Sequence, residues 1–78
     1  MSDAPAPSSP APVKISLREM ADEAQRELAM RHRVYPGLVK AGKMTAAEQA
    51  VAIARMRAIR DTLHLLADHE DAVRATLQ

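Results

Sequence analysis

Few side chains in this sequence of 78 residues are placed for catalysis or metal binding. His64 and Asp68 are four residues apart and would share one side of a helix, whereas His69 lies on another side, so three metal ligands do not converge. Ser16 is better explained as a helix cap than as a nucleophile, and no glycine-rich phosphate loop is present. We therefore expect no enzymatic activity, no metal site and no cofactor.

Basic side chains are concentrated in the middle of the chain. Residues 25–60 carry eight basic and two acidic groups, whereas residues 1–24 and 61–78 have net charges of −2 and −3. The candidate contacts to an anion or a partner are Arg31, Arg33, Lys40, Lys43, Arg55, Arg57 and Arg60. These residues predict either salt-sensitive phosphate binding or attraction between opposite ends of two molecules. Ordinary solvated surfaces, with a pair such as Arg31 with Glu48, are the remaining interpretation.

Sequence-specific DNA binding has less support in the sequence. The segment AGKMTAAEQAVAIARMR places a turn before a helix with three arginines, as a helix-turn-helix does. The preceding piece, residues 36–41, is very short, and the following helix devotes much of its surface to apolar contacts. Tyr35 is the one aromatic residue, so stacking on single-stranded bases is not favoured.

The composition predicts closely packed helices with too small a core for one chain. Apolar residues make up 47% of the sequence, but sixteen of them are alanine. Alanine has the best helix propensity and allows close approach of helices. A chain this short without a disulfide usually gains burial by oligomerising, so we expect a dimer or a larger assembly. The lack of cysteine, of a secretory signal and of a long apolar run predicts a soluble cytoplasmic protein that does not bind membranes.

The first helix is predicted to follow a disordered tail. Residues 1–14 are rich in Pro, Ala and Ser, which is typical of a chain without a packed core. Ser16 and Glu19 form a capping-box pattern, which predicts a helix over about 16–34 in a hairpin domain spanning 15–78. One stripe of this helix carries Leu17, Ala21, Ala24, Leu28, Arg31 and Tyr35.

The corner of the hairpin is predicted to be structured, with Tyr35, Pro36, Leu38, Val39 and Gly42 as its residues. Pro36 disfavours the helical conformation of the preceding residue and should stop the first helix. It then begins either a type II turn with Gly37 or a short helical turn over 36–41 that ends at a left-handed Gly42. We favour the second, because it lets Leu38 and Val39 close one end of the core.

The second helix has the sharper periodicity. Thr45 and Glu48 form another capping box, which predicts a helix over about 46–67. Its heptad positions, which we assign to a seam between copies, are Ala52, Met56, Ile59, Leu63 and Leu66. Glu70 interrupts this pattern, so residues after 67 either extend the helix or restart at Asp68 as a short third piece. Together these elements predict an all-α fold: an antiparallel, coiled-coil-like helical hairpin that is oligomeric.

The segment RHRVYPGLVKAGKMTAAEQAVAIARMRAI resembles a pattern in small uncharacterised helical proteins encoded by bacteriophages and prophages. The distinctive elements are Val34-Tyr35-Pro36 and Gly42-Lys43-Met44-Thr45, and the sequence departs from the pattern at Gln49-Ala50-Val51. The resemblance implies a phage-derived setting in a bacterial host, and no mechanism. We expect a non-enzymatic accessory protein that self-associates and binds a host or phage protein. The alternative is a small nucleic-acid-binding protein or transcriptional regulator that uses the basic corner.

Overall fold

The computed structural model describes residues 13–77. Its elements, in chain order, are α1 (Leu17–Lys40), α2 (Ala46–Asp68) and α3 (Glu70–Leu77). α1 and α2 pack against each other along their lengths, and the described residues contain no strand. The predicted all-α fold with two packed helices is therefore confirmed. Most of the tail predicted over 1–14 lies outside the described residues, and residues 13–16 precede α1 without regular structure.

Both long helices begin at the predicted capping boxes. The Ser16 hydroxyl accepts a hydrogen bond from the Glu19 amide at 3.0 Å, and the Glu19 carboxylate accepts one from the Ser16 amide at 2.9 Å. Thr45 and Glu48 make the same reciprocal pair at 3.0 and 2.8 Å. These bonds satisfy backbone donors that have no partner within the first turn, which fixes where each helix starts.

Pro36 does not end the first helix, and this prediction was wrong. α1 runs through it without interruption to Lys40, so the predicted short turn over 36–41 is the last part of α1. Proline removes one backbone donor, which leaves the His32 carbonyl without its helical partner. Pro36 and His32 are both exposed, so water can hydrogen-bond that carbonyl. The cost of the proline is therefore small enough for the helix to continue.

The predicted left-handed glycine ends α1. Gly42 has φ of 75°, and its amide donates to the Val39 carbonyl at 3.0 Å. The next amide, of Lys43, donates to the Leu38 carbonyl at 2.9 Å. These two bonds form a Schellman motif, which satisfies the last carbonyls of the helix and turns the chain. Tyr35, Leu38 and Val39 are half-buried beside this corner.

Three contacts between side chains and the opposite helix show that α1 and α2 are antiparallel. Arg31 donates to the Ala52 carbonyl at 2.7 Å, and Arg60 donates to the Gln25 side chain at 2.9 Å. At the open end of the hairpin, Arg18 and Asp68 form an ion pair at 2.9 Å. In these three contacts the residue number in α1 rises as that in α2 falls, as it must for antiparallel helices. They also show which residues of the two helices lie at the same height along the hairpin.

The core within the described residues is small. Four side chains are buried, namely Ala21, Ala24, Leu28 and Met56. All lie on the predicted stripes, and Ile53 and Leu63 pack partly buried against the cluster. Three of the buried residues come from α1, where two alanines let α2 approach closely. Such a core leaves much of the apolar surface of α2 in contact with solvent.

The chain restarts as a separate helix after α2. His69 has φ of −125° and ψ of 33°, which breaks the helical path between Asp68 and Glu70. Its carbonyl accepts from the Val73 amide at 3.0 Å, so α3 begins at once. Of the two alternatives for the end of the chain, the structure shows the restart. α2 ends at Asp68, one residue later than predicted, and α3 begins at Glu70, two residues after the predicted restart at Asp68.

Candidate functional site

The five residues assigned to a seam between copies do not all lie on a free surface. Met56 is buried against Ala24 and Leu28 of α1, and Leu63 packs against the same cluster. Ile59, by contrast, is 49% exposed. Met56 and Leu63 therefore hold the hairpin together within one chain. The role of the other seam residues, Ala52, Ile59 and Leu66, in self-association stays a prediction.

An open groove of about 770 Å³ runs between α1 and α2 on the side where Ile59 is exposed. Its apolar lining comes from both helices and from the segment before α1, and consists of Ile15, Met20, Ala24, Met56, Ile59 and Leu63. Ile15 and Met20 are 43% and 37% exposed on the α1 side, and Ile59 is exposed on the α2 side, so both walls have apolar side chains in contact with solvent. These six residues define the groove.

The α1 wall of the groove is acidic. Four carboxylates line it beside the apolar floor, namely Glu19, Asp22, Glu23 and Glu27, together with the one guanidinium of Arg26. Glu23 pairs with Arg26, and its hydrogen bond and charge raise the pKa of that guanidinium. Glu27 uses one carboxylate oxygen for Arg31 at 2.9 Å. This wall is therefore a row of carboxylates that are partly neutralised along α1 and still accessible from solvent.

Two of the predicted basic contacts are engaged within the chain. Arg31 donates to Glu27 and to the Ala52 carbonyl, and its guanidinium lies 5.9 Å from the centroid of the Tyr35 ring. Arg60 donates to Asp61 at 2.8 Å as well as to Gln25. Both side chains are held across the hairpin. The predicted pair of Arg31 with Glu48 is wrong, because Arg31 pairs with Glu27 and donates to the Ala52 carbonyl instead.

The other five predicted contacts are exposed: Arg33, Lys40, Lys43, Arg55 and Arg57. None of the ion pairs formed within residues 13–77 involves them. All five lie outside the groove lining. Arg33, Lys40 and Lys43 lie towards the corner of the hairpin, Arg57 lies near the middle of α2, and Arg55 lies beside Val51 and Ala52. We use the name basic corner for Arg33, Lys40, Lys43 and Arg57.

The contacts that join α3 to the start of α1 were not predicted from the sequence. The Glu70 carboxylate accepts from the Leu17 amide at 3.2 Å, and Arg74 donates to the Ile15 carbonyl at 3.0 Å. The hydrogen bond from Arg74 at 2.9 Å is the main reason that the pKa of Glu70 lies below its usual value. A carboxylate interrupting an apolar stripe, opposite a helix N-terminus, was the signal for this contact.

The described residues offer little else to chemistry. No group of three histidine or acidic side chains among residues 13–77 is close enough to hold a metal ion. None of the helices in that range combines the length and apolarity that crossing a membrane requires. The groove and the basic corner are therefore the two surfaces on which a function can be argued.

Comparisons with known proteins identify no relative of this chain. No protein-family model matches the chain. The curated proteins and the solved structures likewise contain no significant match to it.

Proposed function

We propose that this protein is a non-enzymatic interaction module of the phage accessory type, which self-associates and binds a host or phage protein through the groove. One observation carries the proposal. The groove exposes apolar groups from both helices while the described core buries only four side chains. Contiguous exposed apolar surface bordered by polar groups is typical of protein interaction sites.

The shape and lining of the groove favour a helical partner. It lies between two antiparallel helices, so a third helix can lie along it and present side chains spaced by three and four residues. The acidic wall formed by Glu19, Asp22, Glu23 and Glu27 favours a partner helix with basic residues along one edge. The groove has no buried polar group that would orient a small ligand, which favours a protein partner.

Photo-crosslinking from the groove tests this proposal. A photoreactive amino acid replacing Ile59 should give a discrete crosslinked protein in the bacterial cells that express the chain. The matched control is Ala54, which is exposed on α2 but outside the groove lining. Crosslinks from Ile59 alone support the groove as the binding site. Equal crosslinking from both positions, or none from Ile59, contradicts it.

A second candidate function is nucleic-acid binding by the basic corner. The observation that favours it is the exposure of Arg33, Lys40, Lys43 and Arg57 without an ion pair among the described residues. Arg33 and Lys40 are seven residues apart, so they share one side of α1 and can contact successive phosphates of one strand. Sequence preference would need contacts to base edges, which these few side chains do not by themselves provide.

Fluorescence anisotropy with labelled duplex and single-stranded DNA separates the two functions. A protein with several phosphate contacts loses most of its affinity between about 50 and about 200 mM salt. The double variant Arg33→Glu, Arg57→Glu should weaken such binding and flatten its salt dependence. The double variant Lys14→Glu, Arg26→Glu makes the same change in net charge outside the basic corner, and should bind more tightly than the first. No binding at the lower salt removes this candidate.

A further inference from the structure

We infer that the groove is occupied by α2 of a second copy of this chain, related by a two-fold axis parallel to the helices, so that Arg55 of each copy meets Glu27 of the other. The inference rests on the self-association in the proposed function and specifies its geometry. A two-fold contact requires one surface to carry both the receptor and the group it receives. The groove surface carries both, because Ile59 lines the groove and also projects from it towards solvent.

The inserting group is a ridge on α2, which we define as Val51, Arg55 and Ile59. These residues are four apart, so they form one continuous row along the helix. Val51 and Ile59 are 46% and 49% exposed, and Arg55 is exposed between them. The row continues the apolar surface of the groove, since Ala58, Thr62 and Leu63 line an adjoining hollow with Ile59. A second copy can therefore bury the ridge and the groove together.

The charges of the two surfaces are complementary. The ridge presents the Arg55 guanidinium, which forms no ion pair within residues 13–77, and the opposite wall of the groove presents Glu23 and Glu27. Only one oxygen of the Glu27 carboxylate is used by Arg31, so the other can accept a hydrogen bond from a second arginine. An arginine donating to a carboxylate at the edge of an apolar contact fixes register as well as adding attraction.

The register of the hairpin places these groups at the same height. Ala52 lies level with Arg31, and Arg60 lies level with Gln25. Interpolating between these contacts places Glu27 within about three residues of the level of Arg55, which is about 4 Å along the helix axis. A two-fold axis parallel to the helices keeps levels unchanged and places α2 of one copy opposite α1 of the other. It therefore brings the Arg55 side chain of one copy within reach of Glu27 of the other.

The opposite orientation is electrostatically disfavoured. A two-fold axis perpendicular to the helices places α1 of one copy over α1 of the other, running in opposite directions. Centred on the groove, it brings Glu23 and Glu27 of one copy against the same two carboxylates of the other. Arg26 lines the same wall but is already paired with Glu23 of its own chain, so Glu27 gains no new cation there. Like charges facing each other across a contact oppose association, whereas the parallel axis pairs them with arginine. We therefore assign the two hairpin corners to the same end of the dimer.

Charge exchange between the two walls tests the contact. Sedimentation equilibrium should show that Arg55→Glu weakens dimer formation about tenfold, because the two-fold axis repeats each repulsive pair. Glu27→Arg should weaken it similarly, and the double variant should recover most of the loss. Arg57→Glu makes the same charge change on another side of α2 and should leave the dimer unaffected. Equal effects of Arg55→Glu and Arg57→Glu, or no recovery in the double variant, overturn the assignment.

The orientation is tested independently by a distance. The sequence contains no cysteine, so Lys43→Cys introduces one spin-label site at the exposed corner. Pulsed electron paramagnetic resonance should give a distance within the width of a four-helix bundle, about 25 Å. The perpendicular axis would separate the two corners by about 50 Å. The longer distance contradicts the parallel two-fold axis even where the protein is a dimer.

The results also separate this inference from the proposed function. A monomeric protein that still crosslinks another protein from Ile59 overturns the second copy as occupant and keeps the groove as a protein-binding site. A dimer with the predicted charge dependence and no other crosslinked protein keeps the inference and limits the function to self-association. A monomer that gives no crosslink contradicts both.

Discussion

Met56 contributes more to the core than any other α2 side chain described here, since it is the buried residue of that helix. It packs against Ala24 and Leu28. An alanine at position 56 would leave a cavity that the neighbouring side chains cannot fill. Met56→Ala should therefore lower the free energy of unfolding by about 2–4 kcal/mol. Urea denaturation followed by circular dichroism measures this change. Leu65→Ala, at a position that is 61% exposed, should change stability by less than about 0.5 kcal/mol.

The two glycines predict opposite effects of the same substitution. Gly42 has φ of 75°, and an added Cβ would meet no atom within 4 Å, so its penalty is conformational. Gly42→Ala should destabilise the protein by about 1 kcal/mol. Gly37 is helical and its Cβ position is equally open, so Gly37→Ala should stabilise by about 0.5–1 kcal/mol. Thermal unfolding of both variants checks the signs, and equal shifts would contradict the assignment of Gly42 as the helix terminator.

Residues that act locally were predictable from the sequence. Ser16, Thr45 and Gly42 perform their roles through hydrogen bonds within five residues, so their sequence neighbours determine the outcome. The contact of Glu70 with the start of α1 and that of Arg31 with the Ala52 carbonyl were not predictable. Glu70 contacts Leu17 across the open end of the hairpin, and the distance between these two residues depends on how α1 and α2 pack.

At the scale of the helix, Pro36 shows the limit of a local rule. The sequence correctly indicates that proline disfavours helix, but the outcome depends on whether the affected carbonyl can find water. Pro36→Ala restores the missing amide and should stabilise the protein by about 1–3 kcal/mol. Pro36→Gly restores the same amide with poorer helix propensity, so its gain should be smaller by about 1 kcal/mol. Chemical denaturation compares them, and a loss of stability in Pro36→Ala contradicts this explanation.

α3 acts as a clasp on the N-terminus of α1 through Glu70 and Arg74. Because the folded-state pKa of Glu70 is lowered, its ionised form favours the folded state. That stabilisation is present above the ordinary glutamate pKa of about 4.3 and is lost as the pH falls through the lowered value. Glu70→Gln should therefore be less stable than the wild type at neutral pH, and the difference should shrink under acid conditions. Denaturation at both pH values checks this.

A matched variant separates the charge of Glu70 from the general effect of acid on this chain. Asp71→Gln removes a neighbouring carboxylate that makes no hydrogen bond to α1 within the described residues. It should leave the pH dependence of stability close to that of the wild type. A pH-independent loss in Glu70→Gln would mean that α3 is held by packing and not by the carboxylate.

At the scale of the whole molecule, the hairpin was predictable and the groove was not. Two capped periodic segments joined by a short corner leave antiparallel packing as the simplest way to bury both stripes. The groove depends on which side of each stripe the other helix leaves uncovered. Heptad spacing alone assigned Met56 and Ile59 to one seam, whereas packing buries the first and exposes the second.

The charge distribution of the whole chain has a consequence for its assembly. The corner half is basic and the open end is acidic, which by itself would favour antiparallel association of two hairpins. The local pairing of Arg55 with Glu27 favours the parallel arrangement instead. Contacts at a few ångströms outweigh charges separated by more than the screening length of about 8 Å at physiological salt. The parallel dimer should therefore become relatively more favourable as salt rises from a low concentration.

In the proposed dimer, the groove of each copy is a protein-binding surface that is occupied by the second copy of the same chain. Sedimentation equilibrium of the full chain and of Ile59→Asp tests it most directly, with helicity measured on the same samples. We expect a mass of two chains for the wild type at high micromolar concentration. We expect a helical monomer for Ile59→Asp, because the substituted residue is exposed in the single chain. A cooperatively folded wild-type monomer at that concentration, or an Ile59→Asp variant that remains dimeric, would contradict it.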